Sequence, residues 1–305
     1  MIVDVHAHAL TEQAIARMQR ESPEHAPRIL ERTDDSAVLE VDDVRQRPFR
    51  PGAWDFERRI GDMDAAGVDV QALSVVVATF GYYLEPSLAT TFAQIQNEEI
   101  AGLVRAYPDR FVGLATLPMQ DPDAAAAELR RAVQELGLRG AEIGTNVAGR
   151  NLDAPEFEPV WAAAEELGAF LFVHPDRVAA AERLADYYLT NLLGNPIDTS
   201  IAIASLVFGG VLERYPRLTL CFAHGGGFVP YQRGRLEHGW RVRPEPRQKL
   251  KGAPEASFQR LYYDTILHSP QALDYLVRTV GSEHVLLGSD YPFDMGPRDP
   301  VASVE

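Results

Sequence analysis

The sequence predicts a (β/α)8 (TIM) barrel, and three observations carry that expectation. Short apolar strands alternate with helical stretches along almost the whole chain. At 305 residues the chain is long for a two-layer domain and ordinary for one barrel. Four of the strands end in a histidine or an aspartate, and barrels of this kind carry their reactive groups at strand C-terminal ends. One domain over residues 1–305 is expected, without a low-complexity linker.

The first strand is Met1–His8. Side chains alternate across a strand, so Val3, Val5 and Ala7 share one face and Asp4, His6 and His8 the other. Two imidazoles therefore lie side by side at its C-terminal end, spaced to grip one metal ion. Residues 11–56 hold Pro23, Pro27, Pro48 and Pro51 and a charged run around Asp34–Asp43, and read as an irregular insertion capping one end of the barrel. Helical spacing follows over Phe56–Ala66, closed by Gly67, then a strand over Val68–Val77. The rhythm repeats: helix Leu84–Ala106, strand Phe111–Leu117, helix Asp121–Leu136, strand Gly140–Gly144 and helix Glu156–Leu167. In the second half come strand Phe170–His174, helix Ile197–Leu212 and strand Leu218–His224, then a charged, proline-broken region over 233–254. Strand Leu261–Leu267, helix Pro270–Val280 and strand Val285–Asp290 complete eight strands. The chain stops 15 residues after Asp290, too soon for a full eighth helix, so the C-terminus reads as truncated.

Composition excludes several classes. Hydrophobic content of 46% and charged content of 24% describe a soluble globular protein. No apolar run approaches the ~20 residues of a membrane span, and no basic-then-apolar leader opens the chain. A single cysteine, Cys221, rules out an intrachain disulfide framework and fits a reducing cytoplasm. A net charge of −15 argues against nucleic acid and anionic membrane as partners. An anionic small molecule would need local arginines, because Lys249 and Lys251 are the only lysines.

Position parity organises the later strand ends as well. Phe170, Phe172 and His174 share one face, with Pro175 stopping the strand. Leu218, Leu220, Phe222 and His224 share another, followed by Gly225-Gly226-Gly227, and Leu286, Gly288 and Asp290 a third. Among the other histidines, His25 and His238 sit in polar surroundings, His284 precedes a strand, and His268 follows one.

These residues resemble the amidohydrolase superfamily: His6-x-His8 on strand one, His174 on five, His224 on six and Asp290 on eight. Phe222–Gly227, Gly288–Phe293, Met63–Asp69 and Phe49-Arg50-Pro51 resemble, more narrowly, its aminocarboxymuconate-semialdehyde decarboxylase branch. The likeness implies one divalent ion held by His6, His8, His174 and Asp290. Zinc is first by ligand type and manganese second. Binuclear members bridge two ions with a carboxylated lysine on strand four; here that strand is Gly140-Ala141-Glu142-Ile143-Gly144, so one ion is expected.

The same resemblance implies His224 as general base and then acid, with Asp290 sharing the proton as well as binding the ion. It also implies a small-molecule carboxylate substrate, losing CO₂ after addition of water to an activated double bond or after protonation of a ring carbon. Arg50 matches the arginine that grips the substrate carboxylate. Arg235 matches one delivered across a homodimer interface. Phe80, Tyr82, Tyr188 and Phe293 are candidates for an aromatic pocket wall, and Asp176 stands where the named decarboxylase carries a tryptophan. A metal-dependent hydrolase of a lactone or amide, or a hydratase, would use the same ligands but needs no arginine aimed at a leaving carboxylate.

Overall fold

A computed structural model describes residues 1–304. From the N-terminus, β1 (Val3–Ala9) and α1 (Glu12–Glu21) lead into three short strands, β2 (Arg28–Leu30), β3 (Ala37–Val41) and β4 (Val44–Phe49). The alternation then sets in: α2 (Phe56–Ala65), β5 (Val70–Val75), α3 (Pro86–Ala106), β6 (Phe111–Gly113), β7 (Ala115–Thr116), α4 (Pro122–Gln134) and β8 (Gly140–Gly144). A small ribbon, β9 (Asn146–Val147) and β10 (Arg150–Asn151), precedes α5 (Glu158–Leu167), β11 (Phe170–His174), α6 (Asn195–Phe208), α7 (Val211–Arg214) and β12 (Thr219–Phe222). The chain ends through α8 (Val229–Val242), α9 (Glu255–Phe258), β13 (Tyr262–Asp264), α10 (Pro270–Val280) and β14 (Val285–Leu286).

The strands make parallel ladders in the orders β1-β5-β6 and β14-β13-β12-β11-β8-β7. β6 and β7 are one strand interrupted at Leu114, whose N–H donates to Leu73 O at 2.8 Å. The ring closes between its first and last strands. Val5 N donates to Leu287 O at 2.9 Å, Asp290 N to His6 O at 2.8 Å, and His8 N to Tyr291 O at 2.7 Å. Eight positions result, with no open edge. Side-chain caps at Thr11, Asp55, Asp121 and Ser269 start α1, α2, α4 and α10, each oxygen accepting an N–H that the first turn leaves free. Ala72, Leu114, Phe172, Cys221 and Ala223 fill the barrel interior. A larger apolar layer around Trp161, Phe111, Phe157 and Tyr263 joins the strands to the helices.

The structure corrects the sequence reading of three segments. The segment expected to be irregular contains α1 and an antiparallel sheet, β2-β3-β4. Its prolines lie outside the sheet or, as with Pro48, on β4, an edge strand where a missing N–H costs no ladder bond. The region from 233 was expected to be broken by proline, but α8 runs through to Val242, because Pro244 is the first proline after it. The helix expected over Ile197–Leu212 breaks at Gly209-Gly210, where Gly210 takes φ +71°.

Parity fails at two strands. β1 slips register between Asp4 and Ala7, so Val5 packs against the interior cluster while Asp4 meets Gln71, itself bonded by Arg59 of α2. In β12, Cys221 and Ala223 face inward and Leu220 and Phe222 join the helix-side layer. His224 therefore reaches the mouth by a turn of the backbone (φ +55°), not by alternation. No helix follows β14 among the described residues.

Candidate active site

The ligand atoms of His6, His8, His174 and Asp290 lie within 4.8 Å of one another at the C-terminal end of the barrel, all buried. Their outer nitrogens fix the tautomers. His6 Nδ1 donates to Asp264 Oδ2 at 2.7 Å, His8 Nδ1 to Val75 O at 2.8 Å, and His174 Nδ1 to Pro175 O at 2.9 Å. Carbonyls and an ionised carboxylate can only accept, so each neutral ring turns a bare Nε2 lone pair inward. His6 Nε2 and His8 Nε2 stand 3.0 Å apart, and 3.4 and 3.3 Å from Asp290 Oδ1. Three lone pairs and a carboxylate oxygen converging in a buried space need a cation between them.

In the protein alone, a proton on His6 takes the place of that cation. Burial would lower the His6 pKa, but hydrogen bonds to Asp264 and Asp290 outweigh it and carry it up to about 10. Burial would raise Asp290, yet His6 and His8 hold it well below the usual carboxylate range. The donor set, three imidazoles and one carboxylate, fits a single borderline divalent ion.

His224 flanks this cluster, its ring centroid 5.4 Å from that of His6 and 5.1 Å from that of His174. Its buried Nδ1 has no hydrogen-bond partner among the described residues, and burial pushes its pKa down. The glycines after it are needed for space as well as for φ. A Cβ on Gly225 would stand 2.4 Å from Leu267, and one on Gly227 2.2 Å from Pro196 O.

Glu142 also points inward, fully buried, with both oxygens lacking a hydrogen-bond partner among the described residues and Oε1 3.6 Å from His8 Nδ1. Burial pushes its pKa up to about 7. No lysine stands on β8, so the strand offers no carboxylated-lysine bridge.

The substrate-binding candidates divide. Phe293 sits on the site, its ring 5.3 Å from His8 and 6.3 Å from Phe49. Phe80 and Tyr82 stack at 5.3 Å within the large apolar core, and the Tyr82 hydroxyl accepts from Gly144 N at 3.0 Å. Tyr188 is exposed. Arg50 is exposed at the foot of β4, on a cleft of about 660 Å³ shared with Arg58, Tyr291 and Phe293. Arg235 is exposed on α8, on a groove of about 500 Å³ with Phe228, Gln232 and Leu236. His268 is exposed and lies outside the ligand cluster.

Three residues that position the site went unread in the sequence. Asp264 orients His6 and also accepts from Gly225 N (2.8 Å) and Ile266 N (3.1 Å), which ties the ligand to the glycine loop. Asp4 accepts from Ser289 N (3.0 Å) and His6 N (3.1 Å), locking β1 to the strand that delivers Asp290. Arg59, wholly buried on α2, donates to Gly52 O and to the His8 carbonyl, and burial lowers its pKa to about 10. Strand parity from Tyr262 was a usable signal for Asp264. For Arg59, one arginine among 27, no signal existed.

Comparison with known proteins agrees with this architecture. Residues 3–304 match the amidohydrolase family. The 2-amino-3-carboxymuconate-6-semialdehyde decarboxylase of Dictyostelium discoideum is 40% identical over 270 residues, covering 88% of this chain and 75% of its own. The Caenorhabditis elegans protein of the same name is 34% identical, covering 99% and 88%. The crystal structure of 5-carboxyvanillate decarboxylase from Sphingomonas paucimobilis superposes with a TM-score of 0.82 at 27% identity, over 100% of this chain and 91% of that one. The Novosphingobium aromaticivorans enzyme, complexed with manganese and 4-hydroxy-3-methoxy-5-nitrobenzoic acid, gives 0.82 at 25%, over 99% and 89%. With a mouth that fits a divalent ion and a family match over nearly its whole length, this chain belongs to the amidohydrolase family.

Proposed function

We propose that this chain, a metal-dependent decarboxylase, releases CO₂ from a small unsaturated or aromatic carboxylate of the 2-amino-3-carboxymuconate-6-semialdehyde type. The observation that carries the reading is the four-ligand cluster with His224 beside it, its Nδ1 unengaged. The 40% identity to the Dictyostelium decarboxylase supports the substrate class.

His6, His8, His174 and Asp290 hold the ion, zinc first by ligand type and manganese second. When bound, the ion supplies Lewis acidity at the substrate. His224 moves the proton: low basicity in a buried site keeps it neutral and able to accept one, then return it. Asp290 shares that proton while remaining a ligand. Arg50 pairs with the substrate carboxylate and Phe293 lines the wall beside His8. Phe80 and Tyr82 support that wall from the core side, and Tyr82 fixes the end of β8. Asp176 in place of a tryptophan alters the pocket wall and with it the choice among related carboxylates.

Arg235 serves the site of a second protomer. Its helix presents exposed Phe228 and Tyr231, an apolar face suited to a homodimer. The cytoplasm is the compartment we assign, on the single buried cysteine. Metal-reconstituted protein offered muconate-type and hydroxybenzoate-type carboxylates should release one CO₂ for each substrate consumed. Consumption of a lactone or amide with release of an acid and no CO₂ would replace the decarboxylase with a hydrolase.

A further inference from the structure

The β3–β4 hairpin is held at both ends by the barrel it covers. At its foot Phe49 is fully buried and packs on Phe293, which packs on His8. At its tip Asp43 pairs with Arg177 at 3.1 Å, and Asp42 accepts from the Tyr83 hydroxyl and lies 2.9 Å from His25 Nδ1. Arg177 also lies over the Tyr83 ring at 4.5 Å, so the two barrel-side groups brace each other.

These attachments lie across the mouth. His8 and Phe293 belong to the first strand and the segment after the last, whereas Arg177 follows ligand His174 of the fifth position by three residues. First and fifth positions in a ring of eight face each other. From Asp43 to Phe49 an extended chain reaches about 20 Å, at ~3.3 Å per residue, enough to cross.

The two attachments differ in strength. The foot is apolar and buried. The tip is an ion pair whose side chains are 42% and 74% exposed, a class that contributes little and is screened by salt, together with the exposed Tyr83–Asp42 hydrogen bond. The barrel side of the tip does not give: Asn146 Nδ2 donates to Asp176 O (3.0 Å) and Arg177 O (3.3 Å), and Asp198 accepts from Ala179 N (3.0 Å) and Asn146 Nδ2 (2.9 Å).

We infer that Arg177 and Tyr83 are positioning residues that latch the hairpin across the mouth, and through β4 set Arg50 over the substrate. A strap fixed at its foot and weakly latched at its tip opens from the tip, at the rim beside His174. The inference rests on the decarboxylase reading only for what passes beneath the strap.

Charge reversal tests it on the metal-loaded protein. Asp43→Arg and Arg177→Asp should each speed amide hydrogen exchange over residues 37–49 and raise KM about fivefold, with kcat changed less than about twofold. The double reversal Asp43→Arg/Arg177→Asp should bring both quantities back toward the starting protein. Tyr83→Phe should speed exchange at the tip without a change of charge. Unchanged exchange in the single variants would overturn the latch, and faster exchange without a KM change would overturn its role in positioning. If no carboxylate yields CO₂ the functional reading fails, while hydrogen exchange still judges the latch.

Discussion

The floor of the mouth and its rim are built on different terms. On the floor, His6, His8, His174 and Asp290 are buried, and each imidazole has its outer nitrogen fixed by one acceptor. Around it, Arg50, Arg177 and Asp43, and Arg235 on α8, are exposed, and the one ion pair among them lies in solvent. Removing one partner from a buried charged pair costs ~3–5 kcal/mol, against ~0–1 kcal/mol for an exposed one. A rim residue can therefore change with little harm to the fold, whereas a floor residue cannot. On the proposed reading the floor sets the chemistry and the rim selects the substrate, which suits a family whose named decarboxylases differ in the carboxylate they take.

The sharpest way to break that division is at His224, which shares the floor without being needed as a ligand. His224→Ala should depress turnover by ~10²–10⁴-fold, the usual contribution of a general acid–base group. Steady-state kcat on a substrate found in the carboxylate screen would check it, and a loss below tenfold would remove His224 from the proton path.

Asp264 tests whether the floor depends on what lies beneath it. Asp264→Asn keeps the shape but weakens the hold on His6 Nδ1 and on the glycine loop. Metal affinity should fall by ~10–100-fold, the usual effect of removing a group that orients a ligating histidine. Competition against a chelator measures this without turnover. Unchanged affinity would make Asp264 a fold element only.

The rim carries the smaller effects. Arg50→Ala and Arg235→Ala should each lower kcat/KM by about tenfold, worth ~1.4 kcal/mol, with metal content and melting temperature unchanged. If a second protomer supplies Arg235, mixing weakened Arg235→Ala with inactive His224→Ala should raise activity above that of either protein alone, since one site of the mixed dimer keeps both groups. Mixed dimers that form and stay inactive would return Arg235 to its own chain's site or to none.

Much of the floor was legible in the sequence, because ligand-type residues at the ends of apolar strands are few and their chemistry is specific. His6, His8, His174 and Asp290 meet as expected. What misled was the assumption of unbroken alternation. The irregularity between Asp4 and Ala7 moved Asp4 off the histidine face, and the left-handed backbone at His224 put it at the mouth against the parity of Leu220 and Phe222. Both are local departures that no period-2 pattern announces. The cap was misread because its prolines were taken as breakers of regular structure, whereas Pro48 sits on β4, an edge strand that tolerates it. The rim arginines have no legible geometry at all: their positions depend on the hairpin and on helix α8, whose extents were missed.

The central claim is that four side chains hold one divalent ion and His224 works beside it without binding it. Elemental analysis of the purified protein and of His224→Ala, side by side, tests it most directly. About one ion per chain in both is the predicted result, as a single three-histidine, one-carboxylate site requires. Two tightly bound ions per chain in the unmodified protein, or an ion lost from His224→Ala, would contradict it.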